Sequence, residues 1–148
     1  MKHYDVAIVG LGAMGSMTAW HAARAGLSVV GFDRFRPPHA FGSSAGLSRI
    51  IRECYFEQRY YVPIVQRAYQ LWDELERESG TSFLLQTGGL MIGPREGTIA
   101  TGAIASAEQF GLQAEVLEAA EVMRRYPMFK LMPDQIALYE PRAGGLTP

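Results

Sequence analysis

A glycine pattern near the amino terminus constrains the fold of this chain more than any other feature. Gly10, Gly12 and Gly15 form the spacing GxGxxG. They follow the apolar run Tyr4–Val9, which predicts a buried strand of the kind found in parallel sheets covered on both faces. The residues from Ala13 to Ala25 predict a helix, so the glycines lie in a strand-to-helix turn, the position in which this pattern is informative.

A second strand is predicted directly after that helix. Gly26 is a suitable helix stop, and the apolar run Leu27–Phe32 leads to Asp33. A strand, helix and strand in this order form a right-handed crossover, which places both strands in one parallel sheet. The first part of the chain is therefore predicted to be a Rossmann-like α/β unit.

The chemistry of this turn favours a dinucleotide. Gly10 permits the tight turn, Gly12 lets a pyrophosphate approach the backbone, and Gly15 lets helix and strand pack closely. The start of the helix, at Ala13 and Met14, supplies free N–H groups and a positive dipole end.

Asp33 is placed to bind the ribose of such a nucleotide. A carboxylate at the end of the second strand can accept hydrogen bonds from both ribose hydroxyls, and it would repel a 2′-phosphate. The neighbouring Arg34 keeps NADP possible, and NAD and FAD both fit the motif. An NAD-dependent dehydrogenase and a non-catalytic nucleotide-binding fragment therefore stand as alternatives to a flavoenzyme.

Two arginines follow a loop rich in proline, glycine and serine. A short helix is predicted from Gly46 to Cys54, which would put Arg49 and Arg52 on one face because they are three residues apart. A longer amphipathic helix is predicted over Tyr60–Ser79, where apolar residues recur at helical spacing.

Shorter mixed elements after residue 80 predict an α+β region. We expect a nucleotide-binding part over residues 1–80 and a second, α+β region over residues 81–148. The predicted elements are strands within Phe83–Ile92, divided by Gly88-Gly89, a helix Thr98–Phe110, a strand Ala114–Leu117, a helix Ala119–Tyr126 and a strand Ile136–Glu140.

Composition excludes several other classes. The 148 residues carry a net charge of −1, which gives no reason to expect nucleic acid or a membrane surface as a partner. The single cysteine, Cys54, allows no internal disulfide and fits a cytoplasmic location. His3, His21 and His39 have no spacing typical of ligands, so we expect no metal site.

At this point the sequence resembles the monomeric sarcosine oxidase and N-methyltryptophan oxidase family of flavin amine oxidases. The similarity extends over most of the chain. The residues that carry it are Asp33, Pro37-Pro38-His39, Gly42-Ser43, Arg49-Ile50-Ile51-Arg52, Tyr55, Tyr61-Val62-Pro63, Leu71-Trp72-Asp73-Glu74-Leu75, Thr87-Gly88-Gly89 and Gly93-Pro94.

The resemblance implies an FAD-dependent oxidase of secondary amino acids such as sarcosine or N-methyltryptophan. Such an enzyme passes a hydride equivalent to flavin, and water splits the resulting imine into formaldehyde and the demethylated amino acid. Oxygen then reoxidises the flavin and yields hydrogen peroxide. The implied partners are the small-molecule substrate and oxygen, and a monomer is expected for the full-length protein. Covalent flavin attachment in the family uses a cysteine beyond this chain.

The resemblance also implies roles for individual residues. Arg49 corresponds to the arginine against the flavin ring, and Arg52 to the one that binds the substrate carboxylate. Tyr55 either lines the substrate pocket or belongs to the core, and Cys54 is expected to be a small buried residue. The residues expected to bind the cofactor, besides Arg49, are Gly10, Gly12, Ala13, Met14, Gly15, Asp33, Arg34, Gly42, Ser43 and Ser44.

Two further expectations follow from the resemblance. Relatives often carry a histidine at or beside Ser44 and Ala45, so the exact amine substrate is not defined by this sequence. Members of the family are much longer than this chain. We therefore expect residues 1–148 to be an amino-terminal portion that by itself is inactive and binds FAD weakly. Residues 1–80 would be an FAD-binding part with an incomplete sheet, and residues 81–148 the beginning of a substrate-binding region.

Overall fold

The computed structural model describes residues 2–147, which divide into two compact units. The first extends to Leu47 and the second begins at Ser48. The boundary predicted from the sequence lies at residue 80 instead, because that prediction groups the long helix with the nucleotide-binding part. In the structure that helix belongs to the second unit.

The first unit is the predicted βαβ arrangement. Strand β1 (Val6–Val9), helix α1 (Ala13–Arg24) and strand β2 (Val29–Phe32) follow one another, and the two strands are parallel with Val6 opposite Val29. One expectation about this sheet is wrong within the described residues. Ile8 is buried, but Val9 is 89% exposed, so the sheet is not covered on both faces.

The second unit contains the remaining elements. Its three helices, α2 (Tyr61–Ser79), α3 (Thr98–Phe110) and α4 (Ala119–Arg125), lie close to their predicted positions. Each has apolar residues at helical spacing, and the first two end at a glycine in left-handed conformation. The elements are β3 (Arg49–Ile51), α2 (Tyr61–Ser79), β4 (Leu84–Gln86), β5 (Gly89–Pro94), α3 (Thr98–Phe110), β6 (Glu115–Glu118), α4 (Ala119–Arg125), β7 (Gln135–Glu140) and β8 (Gly144–Leu146).

These strands form two antiparallel three-stranded sheets. One has the order β3-β8-β4 and the other β5-β7-β6. Helix α3 packs on the second sheet, where Cys54, Met91, Ala103 and Leu138 belong to one buried cluster. A segment of residues 52–56 therefore contributes directly to the core of this unit.

The predicted helix Gly46–Cys54 is wrong, because residues 49–51 form strand β3. Ile50 and Ile51 are β-branched and favour a strand, and Arg49 to Ile51 pair with Leu146 to Gly144 of strand β8. Strand β8 was not predicted either. The pairing joins segments about as far apart in sequence as this unit allows, so no local pattern reveals it.

Two absences concern residues 2–147 alone. None of the helices described there combines the length and apolar character needed to cross a bilayer. Within the same residues, no cluster of three His, Cys, Asp or Glu side chains has an arrangement that would hold a metal ion.

Candidate functional site

A cleft of about 730 Å³ lies in the first unit, at the carboxyl ends of β1 and β2. Three segments that are separate in sequence meet there: the glycine loop, the residues after β2, and the serine-containing loop. Every predicted cofactor-binding residue except Arg49 lines this cleft, namely Gly10, Gly12, Ala13, Met14, Gly15, Asp33, Arg34, Gly42, Ser43 and Ser44.

Glycine is favoured at the three positions of this loop for different structural reasons. Gly10 has a φ of +92°, a left-handed conformation that side chains disfavour. A Cβ on Gly15 would lie 1.8 Å from the carbonyl oxygen of Gly10, so only glycine lets helix and strand approach this closely. A Cβ on Gly12 would meet nothing nearer than the Ser44 hydroxyl at 3.9 Å, which leaves open space in the cleft.

The amino-terminal end of α1 faces this cleft. Gly12 is the N-cap residue, no side chain caps the helix, and its first turn holds no acidic residue. The first N–H groups of a helix have no partners within it. Here these N–H groups and the positive end of the helix dipole lie beside the open space at Gly12, which is an arrangement suited to a phosphate group.

Asp33 is held by three donors. Its Oδ2 accepts a hydrogen bond from the Leu11 N–H at 2.6 Å, and its Oδ1 accepts from the Phe35 N–H at 3.0 Å and lies 3.2 Å from His39 Nε2. These bonds, that from Phe35 first, lower the pKa of Asp33 below its ordinary value. An ionised carboxylate offers about four acceptor positions, so the anion retains capacity for a ribose hydroxyl.

A second cleft of about 840 Å³ continues from the first. The two share part of their walls, so an elongated ligand can extend from the Asp33 side across the glycine loop. The residues common to both clefts are Gly12, Ala13, His39, Gly42 and Ser44.

The second unit has its own cleft of about 380 Å³, which includes Arg52. Its walls come from the end of β3, the turn between β4 and β5, and the start of β8. Most of those residues are small, and the lining is Ile50, Arg52, Thr87, Gly88, Gly89, Leu90, Met91, Ala143, Gly144 and Gly145.

The guanidinium of Arg52 is closely held. Its Nη2 donates to both carboxylate oxygens of Glu57, at 2.6 and 2.7 Å, and its Cζ lies 4.7 Å from the ring centre of Tyr55 and 5.0 Å from that of Phe56. The Nε of Arg52 is buried and has no hydrogen-bond partner among the described residues. The side chain therefore combines aromatic stacking with one unsatisfied donor.

Arg49 and Tyr55 have different surroundings. Arg49 begins β3 and Arg52 follows its last residue, Ile51, so no helical turn presents the two arginines on one face. Arg49 is exposed, its Nη1 donates to the Ser48 carbonyl at 2.6 Å, and it does not line the Arg52 cleft. Tyr55 packs against Tyr61, with ring centres 5.3 Å apart, as well as against Arg52.

Sequence reasoning missed Glu140, which anchors the segment beside Arg52. The Glu140 side chain is fully buried, and its two oxygens accept the backbone N–H groups of Glu53 at 2.6 Å and Cys54 at 2.9 Å. Glu53 is buried as well and lies 3.1 Å from Arg142. Burial raises the pKa of Glu53, and the Glu140 charge adds to that effect.

Cys54 is a buried core residue, as predicted. The side chain is fully enclosed and forms no disulfide. Burial raises the pKa of its thiol far above the ordinary value, and the nearby charge of Glu140 raises it further. A neutral, enclosed thiol is a poor nucleophile, so the structure gives Cys54 a packing role.

Two curated proteins are similar to this chain over nearly its whole length. Monomeric sarcosine oxidase of Streptomyces avermitilis is 43% identical over 145 residues, and N-methyl-L-tryptophan oxidase of Yersinia pestis (strain Pestoides F) is 36% identical over 143 residues. These alignments cover 98% and 97% of this chain, which spans 38% of the length of each relative.

The fold has a solved counterpart in NikD, described as an unusual amino acid oxidase essential for nikkomycin biosynthesis. The Tyr258Phe mutant of NikD superposes with a TM-score of 0.83 at 27% identity, covering 99% of this chain and 38% of NikD. The family model of FAD dependent oxidoreductases (DAO) matches residues 5–148. On this match and the two curated relatives, the chain belongs to the FAD dependent oxidoreductase family.

Proposed function

We propose that the protein carrying this chain is an FAD-dependent oxidase of N-methyl amino acids such as sarcosine or N-methyltryptophan. The products would be the demethylated amino acid, formaldehyde and hydrogen peroxide. The observation that carries the proposal is the cleft in which the glycine loop meets Asp33. Support for the substrate class comes from the relative that is 43% identical and named as a sarcosine oxidase.

The residues of the first unit fit the ADP half of FAD. Space is open above Gly12, the first turn of α1 has unpartnered N–H groups for a pyrophosphate, and the Asp33 carboxylate has acceptor capacity for a ribose. The adjoining second cleft, with Ser44 in the shared wall, offers room for a ligand longer than ADP.

The proposed chemistry divides between cofactor and protein. FAD supplies the acceptor for a hydride equivalent when it is bound. Arg52 would hold the substrate carboxylate, because a planar guanidinium can donate two parallel hydrogen bonds to it. Arg52 lines the cleft of the second unit, and its contact with Tyr55 holds the plane of the guanidinium group. Arg49 would contribute positive charge beside the flavin ring.

The cofactor assignment can be tested on this chain directly. FAD, NAD and NADP would each be titrated by calorimetry, with ADP as competitor. We expect FAD to bind more tightly than NAD, ADP to displace it, and Asp33→Asn to weaken the binding of FAD and NAD but not that of NADP, whose 2′-phosphate the carboxylate repels. Asp73→Asn, an exposed carboxylate on α2, is the matched control. Tighter binding of NAD than of FAD would favour the dehydrogenase alternative.

The role of Arg52 requires a protein of full length. A chimera in which this chain replaces the matching residues of the Streptomyces avermitilis enzyme would be assayed for peroxide with sarcosine. We expect Arg52→Ala to raise KM about 10- to 100-fold, because hydrogen bonds to charged groups contribute roughly 1.5–3 kcal/mol. Arg52→Lys should recover part of that loss, since it keeps the charge but not the planar donor pair.

Arg67→Ala is the control for that experiment. Arg67 is an exposed arginine on α2 and bonds only to neighbours on its own helix among the described contacts. Its replacement should leave KM unchanged. An unaltered KM in Arg52→Ala would contradict the proposed carboxylate-binding role.

A further inference from the structure

His39 joins the ribose-binding carboxylate to the loop that follows it. Its Nε2 lies 3.2 Å from Asp33 Oδ1, and its Nδ1 accepts the backbone N–H of Phe41 at 3.2 Å. Both side chains are largely enclosed, with 16% of His39 and 12% of Asp33 exposed. The imidazole therefore bridges the Asp33 carboxylate and the backbone of Phe41.

The hydrogen bond from Phe41 selects one tautomer of a neutral imidazole. A ring nitrogen that accepts an N–H carries no proton of its own, so the proton of the neutral imidazole must lie on Nε2. That nitrogen then donates to Asp33. The direction of both bonds is fixed, from the Phe41 amide to His39 and from His39 to the carboxylate.

The ring is also held by its aromatic neighbours. Its centre lies 5.3 Å from that of Phe35 and 6.0 Å from that of Phe41, and the two phenyl rings are 4.4 Å apart. All three residues line the same cleft as Asp33. The imidazole cannot easily turn away from the carboxylate, because this packing and the Phe41 amide both hold it.

We infer that His39 is a positioning residue for nucleotide recognition, which holds the Asp33 carboxylate in the orientation that accepts a ribose hydroxyl. The inference rests on the proposed function, since it takes the cleft to bind an adenosine diphosphate group. The Leu11 and Phe35 amides hold the carboxylate from the backbone. His39 is its side-chain donor among the described contacts and, together with those amides, holds the rotation about the Cβ–Cγ bond, so that one of about four acceptor positions stays open.

The test compares two ligands on the chain itself. ADP and 2′,3′-dideoxy-ADP differ only in the hydroxyls that Asp33 would bind. In the unchanged chain we expect ADP to bind about tenfold more tightly or better, the ratio that a hydrogen bond to a charged group gives. Binding would be followed by ¹⁵N NMR titration, which measures weak affinities.

His39→Phe keeps an aromatic ring in the cluster and removes the donor. In this variant we expect the ratio of ADP affinity to dideoxy-ADP affinity to fall at least about threefold, which corresponds to the lower end of the free energy of one hydrogen bond. Its affinity for dideoxy-ADP should stay the same. His39→Gln, whose amide can still donate to Asp33, should restore most of the preference. His39→Ala is a second donor-free variant, to be titrated should the larger phenyl ring prevent folding.

Each remaining outcome overturns the inference in a distinguishable way. An equal loss of affinity for both ligands in His39→Phe and His39→Ala would mean that His39 only maintains the loop. An unchanged preference would mean that Asp33 needs no help from His39. Equal binding of ADP and dideoxy-ADP by the unchanged chain would instead refute the ribose role of Asp33, and with it this part of the proposed function.

Discussion

Replacing Glu140 with alanine is expected to destabilise the second unit by about 2–6 kcal/mol. The change leaves the N–H groups of Glu53 and Cys54 buried without an acceptor, and each such group costs about 1–3 kcal/mol. Removing the charge also relieves repulsion of the buried Glu53 carboxylate, so the upper end of this range is a limit. A loss of this size is a large part of the stability of an ordinary domain.

Glu140→Gln separates the hydrogen bonds from the charge. It keeps one acceptor oxygen and introduces an amide NH₂ that would face a backbone N–H, so an intermediate loss is expected. Glu96→Ala is the matched control, because Glu96 is exposed and exposed substitutions usually change stability by no more than about 0.5 kcal/mol. The measurement is urea unfolding followed by circular dichroism and by fluorescence of Trp72, which lies in the same unit.

The prediction also concerns the Arg52 cleft. Residues 53 and 54 are fixed by Glu140, and they lie between Arg52 and Tyr55, whose stacking sets the guanidinium plane. In Glu140→Gln, NMR signals of residues 52–55 should shift more than those of the first unit. Stability of Glu140→Ala equal to that of Glu96→Ala would show that the two backbone bonds contribute little.

Local patterns explain what the sequence predicted well. The βαβ unit has a continuous apolar strand, a glycine turn with defined spacing and a helix stop within about thirty residues, so its strand pairing and its cleft follow from neighbouring residues. Helix α2 and helix α3 likewise show their periodicity and end at Gly80 and Gly111. Each of these signals lies inside the element that it predicts.

Distant pairings explain what was missed. Strand β3 forms against β8, and Glu140 bonds the amides of residues 53 and 54, so both features join segments whose sequences carry no sign of each other. The predicted helix placed both arginines on one face and thereby gave them a shared setting that β3 does not provide. The motif and the resemblance predict the cleft residues, whereas the Asp33–His39 contact is visible only in the folded structure.

His39 belongs to a sequence motif whose structural cause the sequence alone does not reveal. Pro37-Pro38-His39 is one of the segments that carry the family resemblance, and the sequence assigns His39 no role of its own. Its partners are Asp33, six residues earlier, and Phe41, two residues later. The aromatic pair Phe35 and Phe41 on either side was the available hint that the ring is enclosed.

Alanine at Gly12 is expected to remove nucleotide binding and preserve the fold. Gly12 has a φ of −69°, which alanine adopts readily, and its added methyl would have no neighbour closer than 3.9 Å. That methyl would occupy the space through which a pyrophosphate approaches the backbone. We expect ADP and FAD to bind at least about tenfold more weakly, a cost of roughly 1.4 kcal/mol, with an unchanged melting temperature.

Alanine at Gly15 is expected to reduce binding by destabilising the first unit. Its Cβ would lie 1.8 Å from the Gly10 oxygen and 2.9 Å from the Gly10 carbon, and backbone atoms cannot move aside as a flexible side chain can. Overpacking of this kind costs about 1–3 kcal/mol or more, so the first unit should lose stability together with binding.

The comparison of the two variants assigns a separate cause to each glycine. Thermal unfolding monitored through Trp20, which lies in α1, would report stability, and NMR titration with ADP would report binding. Loss of binding without loss of stability in Gly12→Ala means that the space above the loop belongs to the ligand. Unchanged ADP affinity in that variant would show that the nucleotide does not approach Gly12, and the proposed pyrophosphate position would then be wrong even if Gly15→Ala unfolds as expected.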